Sequence, residues 1–284
     1  MTAFVVFNPG ADGGRTGRDW QQIETALEQV FPLLSFFVTT GPTQAARVVR
    51  DALRDGHMEI VAVGGEGTIN EALNGFFDHG MMVSPEAVFS FVHSGSPGAL
   101  SRRFNLAPGW QAGVARLKKA RVHKVDLGHV ACLGPGGVPV SRFFLGAASL
   151  GLSASIARRM GAARIARFFG PRFARWFHAR LALWNWRETR IRLMADGYDE
   201  IAGIASVRLS PREGKFDVAV IDGSRKADVA CMAVDESRKL RAGHVTAAPT
   251  LDTHGPVEVE TDGESAGILP ATFDIYPAAI NLRV

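Results

Sequence analysis

Apolar residues in the first part of the chain alternate between two spacings. Short runs rich in β-branched and aromatic side chains occur at residues 3–7, 34–38, 60–63 and 87–92. Runs of this length, bounded by glycine, proline or polar clusters, suit strands covered on both faces. Between them the spacing becomes i, i+3, i+4, i+7. Trp20, Ile23, Leu27 and Val30 mark one helix face, and Ala45, Val49 and Leu53 a second, with Gly56 as its stop. Ile69, Ala72, Leu73, Phe76 and Phe77 mark a third, and a further helix is expected over 110–119. Strands alternating with helices of this length predict an α/β domain built on a doubly wound, parallel sheet.

Beyond Arg121 the rhythm changes. Residues 122–132, 142–147, 189–194, 205–209, 216–221, 257–260 and 272–275 are short and strand-like, with turn residues between most of them. Helical periodicity is confined to residues 153–182. This predicts a C-terminal antiparallel β-sandwich. The expected domains are therefore 1–122 and 123–284.

A chain of 284 residues, 46% hydrophobic and 21% charged, can bury a sizeable core and is not a disordered sequence. No uninterrupted apolar run reaches the roughly 18 residues of a spanning helix. The start, MTAFVVFNPG, has neither the basic region nor the long apolar core of a signal peptide. Cys132 and Cys231 stand at unrelated positions and form no disulfide framework or metal knuckle. A cytoplasmic protein is expected.

The net charge of +4 conceals an asymmetry. The stretch from Arg158 to Arg192 holds ten arginines and one acid, Glu188, a net +9, so the remaining residues carry −5. Phe168, Phe169, Phe173, Trp176, Phe177, Trp184 and Trp186 interleave with these arginines. Rings and guanidiniums in one stretch suit an anionic membrane surface, which predicts peripheral membrane association. A helical hairpin with solvated arginines is the plainer reading. No recognised nucleic-acid module accompanies the patch, so no nucleic-acid partner is expected.

The chemistry concentrates in residues 59–74, EIVAVGGEGTINEALN. An apolar strand runs into Gly64, Gly65 and Gly67, and Thr68 with Glu71 has the spacing of a capping box, which predicts a helix from Thr68. A glycine turn opening a helix gathers free N–H groups and the positive end of the helix dipole, a setting for phosphate. The dinucleotide fingerprint is excluded, because Asn70 stands where its third glycine would be. No G-x-x-x-x-G-K-[ST], H-R-D or D-F-G string occurs. In doubly wound sheets ligands bind at the carboxyl ends of the strands. Asn8, Thr39, Gly64 to Asn70 and Ser94 to Ser96 all lie just past such ends.

GGEGTINEALNG resembles the G-G-D-G-T-x-N-E-x-x-N-G signature of the diacylglycerol kinase catalytic family, which includes bacterial lipid kinases and sphingosine kinases. NAD kinases and phosphofructokinases are more distant relatives. Glu66 stands where the family usually has Asp. Asn8-Pro9 resembles the family's opening to its nucleotide loop, and Thr39 the Thr that lines the nucleotide site. Residues 95–100, GSPGAL, resemble the loop written G-T-x-N-D-F or G-S-G-N-A-L, with Gly98 in place of the Asn and Ala99 in place of the acid. Farther on, residues 210–217, SPREGKFD, resemble the family's metal-binding turn, and Asp262-Gly263-Glu264 its D-G-E motif. Both strings also suit plain hairpin turns.

The resemblance implies an ATP-dependent lipid kinase that uses Mg²⁺ and phosphorylates a hydroxyl of a membrane lipid: diacylglycerol, a sphingoid base or a related lipid. It implies nucleotide contacts from Asn8, Thr39, Gly64, Gly65, Glu66, Gly67, Thr68, Ile69, Asn70 and Ser96. Glu264 is its first choice as acceptor of the hydroxyl proton and Glu66 the second, with Glu66 or Asp262 as holder of catalytic Mg²⁺. Glu213, with backbone oxygens of Ser210 and Lys215, would hold a structural cation. The last strand would return to the first domain. Two alternatives stay open: a non-catalytic binder, suggested by Glu66, Gly98 and Ala99, and a soluble NAD-type kinase, against which the Arg/Trp stretch speaks. A homodimer is also left open.

Overall fold

The computed structural model describes residues 2–94, 98–151, 189–222 and 238–284. The chain forms two compact units, Met1–Leu127 with Ala278–Val284, and Gly128–Pro277. The division falls inside a strand that begins at Val122, five residues past the boundary expected from composition.

The first unit runs β1 (Thr2–Phe7), α1 (Arg15–Arg18), α2 (Trp20–Glu28), β2 (Leu33–Val38), α3 (Gln44–Arg54), β3 (Glu59–Gly64), α4 (Glu66–Asn74), β4 (Phe77–Asp78), β5 (Met81–Met82), β6 (Val88–His93), α5 (Ala99–Arg103), α6 (Trp110–Lys119) and the start of β7 (Val122–Leu133). Strands β2, β1, β3 and β6 pair in that order, all parallel. Asn281 and Leu282, near the chain's end, add a parallel strand beyond β6.

Every residue of β3 is buried, as its unbroken apolar run requires of a central parallel strand. Alternate side chains serve opposite faces. Val5, Val61, Val63 and Val92 pack with Ile23 and Leu27 of α2 and with Val114 and Leu117 of α6. On the other face Phe76 meets Phe89 edge to face at 5.3 Å. There α3 and α4 approach so closely that a Cβ on Gly75 would lie 2.6 Å from the Ala46 carbonyl oxygen. Helices on both faces make the sheet doubly wound. The third helix is shorter than its apolar spacing suggests: Gly75 closes α4, and Phe77 pairs with Met82 in the β4–β5 hairpin.

The second unit continues β7 and adds β8 (Pro139–Phe144), β9 (Ala148–Gly151), β10 (Thr189–Ala195), β11 (Tyr198–Arg212), β12 (Lys215–Asp222), β13 (Arg238–Ala242), β14 (His244–Pro249), β15 (Glu258–Thr261) and β16 (Glu264–Arg283). The pairings β10–β11, β10–β14, β11–β12, β9–β11, β12–β13, β14–β16, β15–β16, β9–β15 and β7–β8 are antiparallel. They close a circuit: β11 with β10, β10 with β14, β14 with β16, β16 with β15, β15 with β9, and β9 back to β11. The β-rich expectation holds, but a sandwich of separate sheets is replaced by one sheet rolled around its core.

The reason is strand length. Ala205–Leu209 is only the middle of a 15-residue strand, which pairs with β10 before a bulge at Ile204/Ser206 and with β9 after it. The core includes Phe144, Leu150, Ile191, Val207, Phe216, Val245, Val259 and Phe273. Strands β13 and β14 have no counterpart in the sequence expectation, because RKLRAGHVTAAP is too polar to read as a run.

Ser96, Cys231, the helical spacing at 153–182 and nearly all of the Arg/Trp stretch lie outside the described residues. Among the described residues no helix is long and apolar enough to cross a membrane.

Candidate functional site

The carboxyl ends of β1, β2, β3 and β6 carry Asn8, Thr39, Gly65 and Ser94. Backbone bonds tie the loops in register. The Asn8 N–H donates to the Val63 carbonyl at 3.0 Å, the Thr39 N–H to Phe7 at 2.8 Å, and the Ser94 N–H to Gly64 at 2.9 Å. Side chains add a second layer. Asn8 Nδ2 donates to Thr68 Oγ1 at 3.0 Å, while Asn8 Oδ1 accepts the Gly10 N–H at 2.9 Å. Thr39 is buried and donates its hydroxyl to the Phe7 carbonyl at 3.2 Å. Thr16 Oγ1 lies 2.8 Å from Ser94 Oγ, which joins the first and fourth loops. Thr16 carries no motif and is brought here only by the turn that follows Asn8.

Helix α4 starts at Glu66 with Gly65 as its cap, two residues before the expected start. The T-x-x-E pair forms no capping box. Thr68 is committed to Asn8, and Glu71 Oε1 accepts the Thr43 N–H at 3.0 Å. Starting earlier places Glu66 and Gly67 in the first turn, whose N–H groups have no partner within the helix. Gly65 has φ −77°, and a Cβ built on it meets no atom within 4 Å. A Cβ on Gly64 would lie 2.9 Å from Thr68. Gly64 is thus needed for packing inside the turn, whereas Gly65 borders open space at a helix N-terminus, where a phosphate group fits. Ile69 is a core residue, 1% exposed, and Asn70 is buried with its carbonyl accepting from Asn74 Nδ2 at 2.8 Å. The side chains of both are buried, so what they offer a ligand is the backbone of the first turn of α4.

Glu66 is turned to another use. Its Oε2 accepts the Ala99 N–H at 3.0 Å and its Oε1 the Leu100 N–H at 2.9 Å. Both carboxylate oxygens bind the opening turn of α5, which makes Glu66 a bridge between two loops. This is the carboxylate that the motif offers as proton acceptor or Mg²⁺ holder, and here its two oxygens accept from these amides.

In the second unit the three acids suggested by motif part company. Asp262 is fully buried, with φ 50°. Its Oδ2 accepts from Leu145 N at 2.9 Å, and its Oδ1 from Gly146 N at 2.6 Å and Ala147 N at 3.0 Å. It shapes the turn between β8 and β9, and its oxygens are spent on amides, not offered to Mg²⁺. Glu264 begins β16 opposite Thr261 and is exposed. Glu260, which the motif does not include, fixes that turn: its Oε1 accepts from Gly263 N at 2.5 Å and its Oε2 from Ser149 Oγ at 2.6 Å. Burial raises its carboxyl above the ordinary range, the neighbouring Asp262 charge adds to this, and the two hydrogen bonds and Arg208 work against it.

The expected cation turn is a hairpin. Ser210 faces Asp217 and Arg212 faces Lys215 across the β11–β12 ladder, with Glu213 at φ 50° in the turn. Glu213 is exposed, and its carboxylate lies 3.6 Å from Arg212 and 3.4 Å from Arg241. Guanidiniums supply the positive charge here, and no group of three His, Cys, Asp or Glu able to hold a metal stands among the described residues. Ser210, Glu213 and Lys215 stand at this one hairpin, where Glu213 faces the two guanidiniums.

Residues 2–130 match the family of the diacylglycerol kinase catalytic domain. No curated protein matches the chain. A protein of Bacillus anthracis str. Sterne, assigned provisionally to the diacylglycerol kinases, superposes with a TM-score of 0.72 at 17% identity, covering 99% of this chain and 96% of its own. A structure described as a diacylglycerol kinase of the same organism gives 0.69 at 15%, with the same coverage. Yeast NADH kinase complexed with NADH gives 0.52 at 11%, covering 100% of this chain and 82% of its own. At these identities the likeness is one of fold.

Proposed function

Taking residues 2–130 as the diacylglycerol kinase catalytic domain that they match, we propose that the protein transfers the γ-phosphoryl group of ATP to a hydroxyl of a membrane lipid. One observation carries the nucleotide half: Asn8, Gly65, Thr68 and Ser94 meet where β1, β3 and β6 end, with the first turn of α4 opening beside a glycine whose Cβ direction is empty.

Phosphoryl transfer needs positioning, charge compensation and an acceptor for the hydroxyl proton. The α4 N–H groups and the Asn8–Thr68 pair would orient the phosphates. Mg²⁺, when bound with ATP, offsets phosphate charge; it commonly keeps several waters and needs few protein ligands. Glu264, the exposed acid of the D-G-E string, is our choice to take the proton. The departures at Glu66 and Gly98 do not argue for a lost activity, since together they hold α5 in place. The stretch from Arg158 to Arg192 would seat the protein on anionic lipid.

The test is incubation of the purified protein with γ-labelled ATP, Mg²⁺, NAD and mixed vesicles containing diacylglycerol, a sphingoid base or phospholipid. Label in the lipid fraction is the expected result. Label in NAD alone would replace the lipid reading by the NAD-type one.

A further inference from the structure

On the outward face of the second unit, a hydroxyl, an imidazole and a carboxylate are hydrogen-bonded in line. Strands β14 and β16 pair with His244 opposite Asp274 and Thr246 opposite Thr272. Val245, Ala247 and Phe273 belong to the core, so alternation along each strand sends His244, Thr246, Thr272 and Asp274 to the other face. There His244 Nδ1 lies 2.6 Å from Asp274 Oδ1, and His244 Nε2 lies 3.1 Å from Thr246 Oγ1. The side chains of His244 and Asp274 are 56% and 44% exposed, so a molecule in solution can reach them. An ionised carboxylate only accepts, which puts the ring proton on Nδ1. In the neutral ring Nε2 is then the acceptor of the threonine hydroxyl. The order and the distances are those that activate a nucleophile.

We propose that Thr246, His244 and Asp274 form a second reactive site, which hydrolyses small carboxylic esters. Thr246 Oγ1 attacks the ester carbonyl carbon, and its proton passes to His244 Nε2. The bond to the alcohol oxygen breaks, the alcohol leaves with that proton, and the acyl group stays on Thr246. Water, giving its proton to the same nitrogen, then attacks the acyl-threonine and releases the acid. Asp274 is the positioning residue: it fixes the tautomer and orientation of the ring and stabilises the charge that the ring acquires. Thr272, opposite Thr246 in the ladder, carries a hydroxyl on the same face that can donate to the oxyanion. A second hydroxyl–imidazole pair sharpens the assignment. His129 Nε2 lies 2.6 Å from Ser141 Oγ, but His129 Nδ1 has no hydrogen-bond partner among the described residues. It lacks the bound carboxylate that His244 has. All of these residues lie in the second unit, apart from the nucleotide loops of the first, so the proposal does not rest on the kinase reading.

The experiment is labelling of the full-length protein, without ATP, by a fluorophosphonate with a small alkyl group; mass spectrometry locates the adduct and its rate is compared among variants. Attack by Thr246 forms a P–O bond and expels fluoride, which leaves an adduct that water does not readily remove. Wild type should carry the phosphonate on Thr246, and Thr246→Ser should keep it at that position. His244→Gln and Asp274→Asn should each slow labelling at least about tenfold. Asp274→Glu should recover part of that loss, which a merely structural role for the charge-neutral variant's defect would not predict. Ser141→Ala should label like wild type. Hydrolysis of p-nitrophenyl acetate should fall in Thr246→Val in parallel with the lost label. No adduct at Thr246 in wild type overturns the proposal, as does labelling at an unchanged rate in His244→Gln, or an adduct found on Ser141 instead.

Discussion

The carboxylate of Glu66 occupies the space that a side chain at position 98 would need: a Cβ built on Gly98 lies 2.0 Å from Glu66 Oε2. The two departures from the family signature are thus one feature. The longer acid reaches the Ala99 and Leu100 amides, and glycine at 98 lets it through. Gly98→Ala should destabilise the protein by about 1–3 kcal/mol through overpacking. Combined with Glu66→Asp, which withdraws the carboxylate by one methylene, the loss should shrink by about 1 kcal/mol or more. A double-mutant cycle in urea measures the coupling; additive losses would dissolve the link.

Gly65 and Gly64 should behave differently despite their adjacency. A Cβ on Gly65 meets no atom of the described residues within 4 Å, and its φ is one that valine accepts, so Gly65→Val should fold normally and lose ATP binding. Gly64→Ala runs its Cβ into Thr68 and should lower the melting temperature. Calorimetry with ATP and thermal melts of both variants check this. Unchanged ATP affinity in folded Gly65→Val would remove the loop from the nucleotide site.

The D-G-E acids should separate into a structural and a chemical role. Asp262→Ala strands three buried amides, each worth about 1–3 kcal/mol, so a loss of at least about 3 kcal/mol is expected in denaturant unfolding. Glu264→Gln keeps shape and should leave the melting temperature within a degree or so while the transfer rate falls on the order of 10²–10⁴. A near-normal rate in that variant would remove Glu264 as the proton acceptor.

Glu260 predicts a pH dependence whose sign is set by its raised pKa. Between the ordinary carboxylate value and the raised one, the folded state holds a proton that the unfolded state has released. Stability contributed by this group is therefore full below the ordinary value and is lost as pH rises through the folded pKa. Glu260→Gln cannot ionise, and its amide oxygen can still accept from Gly263. The variant should gain stability relative to wild type as pH rises through that window, seen as a widening gap in melting temperature. A gap that narrows with rising pH would contradict the buried-carboxyl picture.

The basic stretch predicts membrane partitioning. Each arginine near an anionic surface is worth roughly 1 kcal/mol. Four or five facing the bilayer would therefore shift partitioning by more than about a thousandfold. Binding to anionic vesicles should exceed binding to neutral ones and fall at high salt. Arg172, Arg175 and Arg180 replaced together by Gln should lower it at low salt and leave ATP affinity alone. Sedimentation with both vesicle types is the check, and equal partitioning would end the membrane reading.

The sequence by itself determined the central parallel strand of the first unit, because Ile60–Val63 is buried on both faces and has no polar side chain to misplace. It also marked the crevice, because glycines and small polar residues stand at the strand ends. What only the tertiary structure decided is which polar atoms are already spent. Glu66 and Asp262 read alike as acids in motifs, yet Glu66 binds amides 33 and 34 residues away in sequence and Asp262 amides 115 to 117 away. Spacing cannot show such pairings, because a carboxylate's partner is set by where the backbone folds. The same holds for the rolled sheet of the second unit, whose long strands β11 and β16 change partners partway along. It holds for His93 and Arg116, which sequence spacing keeps 23 residues apart and the packing of α6 against β6 brings to one cavity.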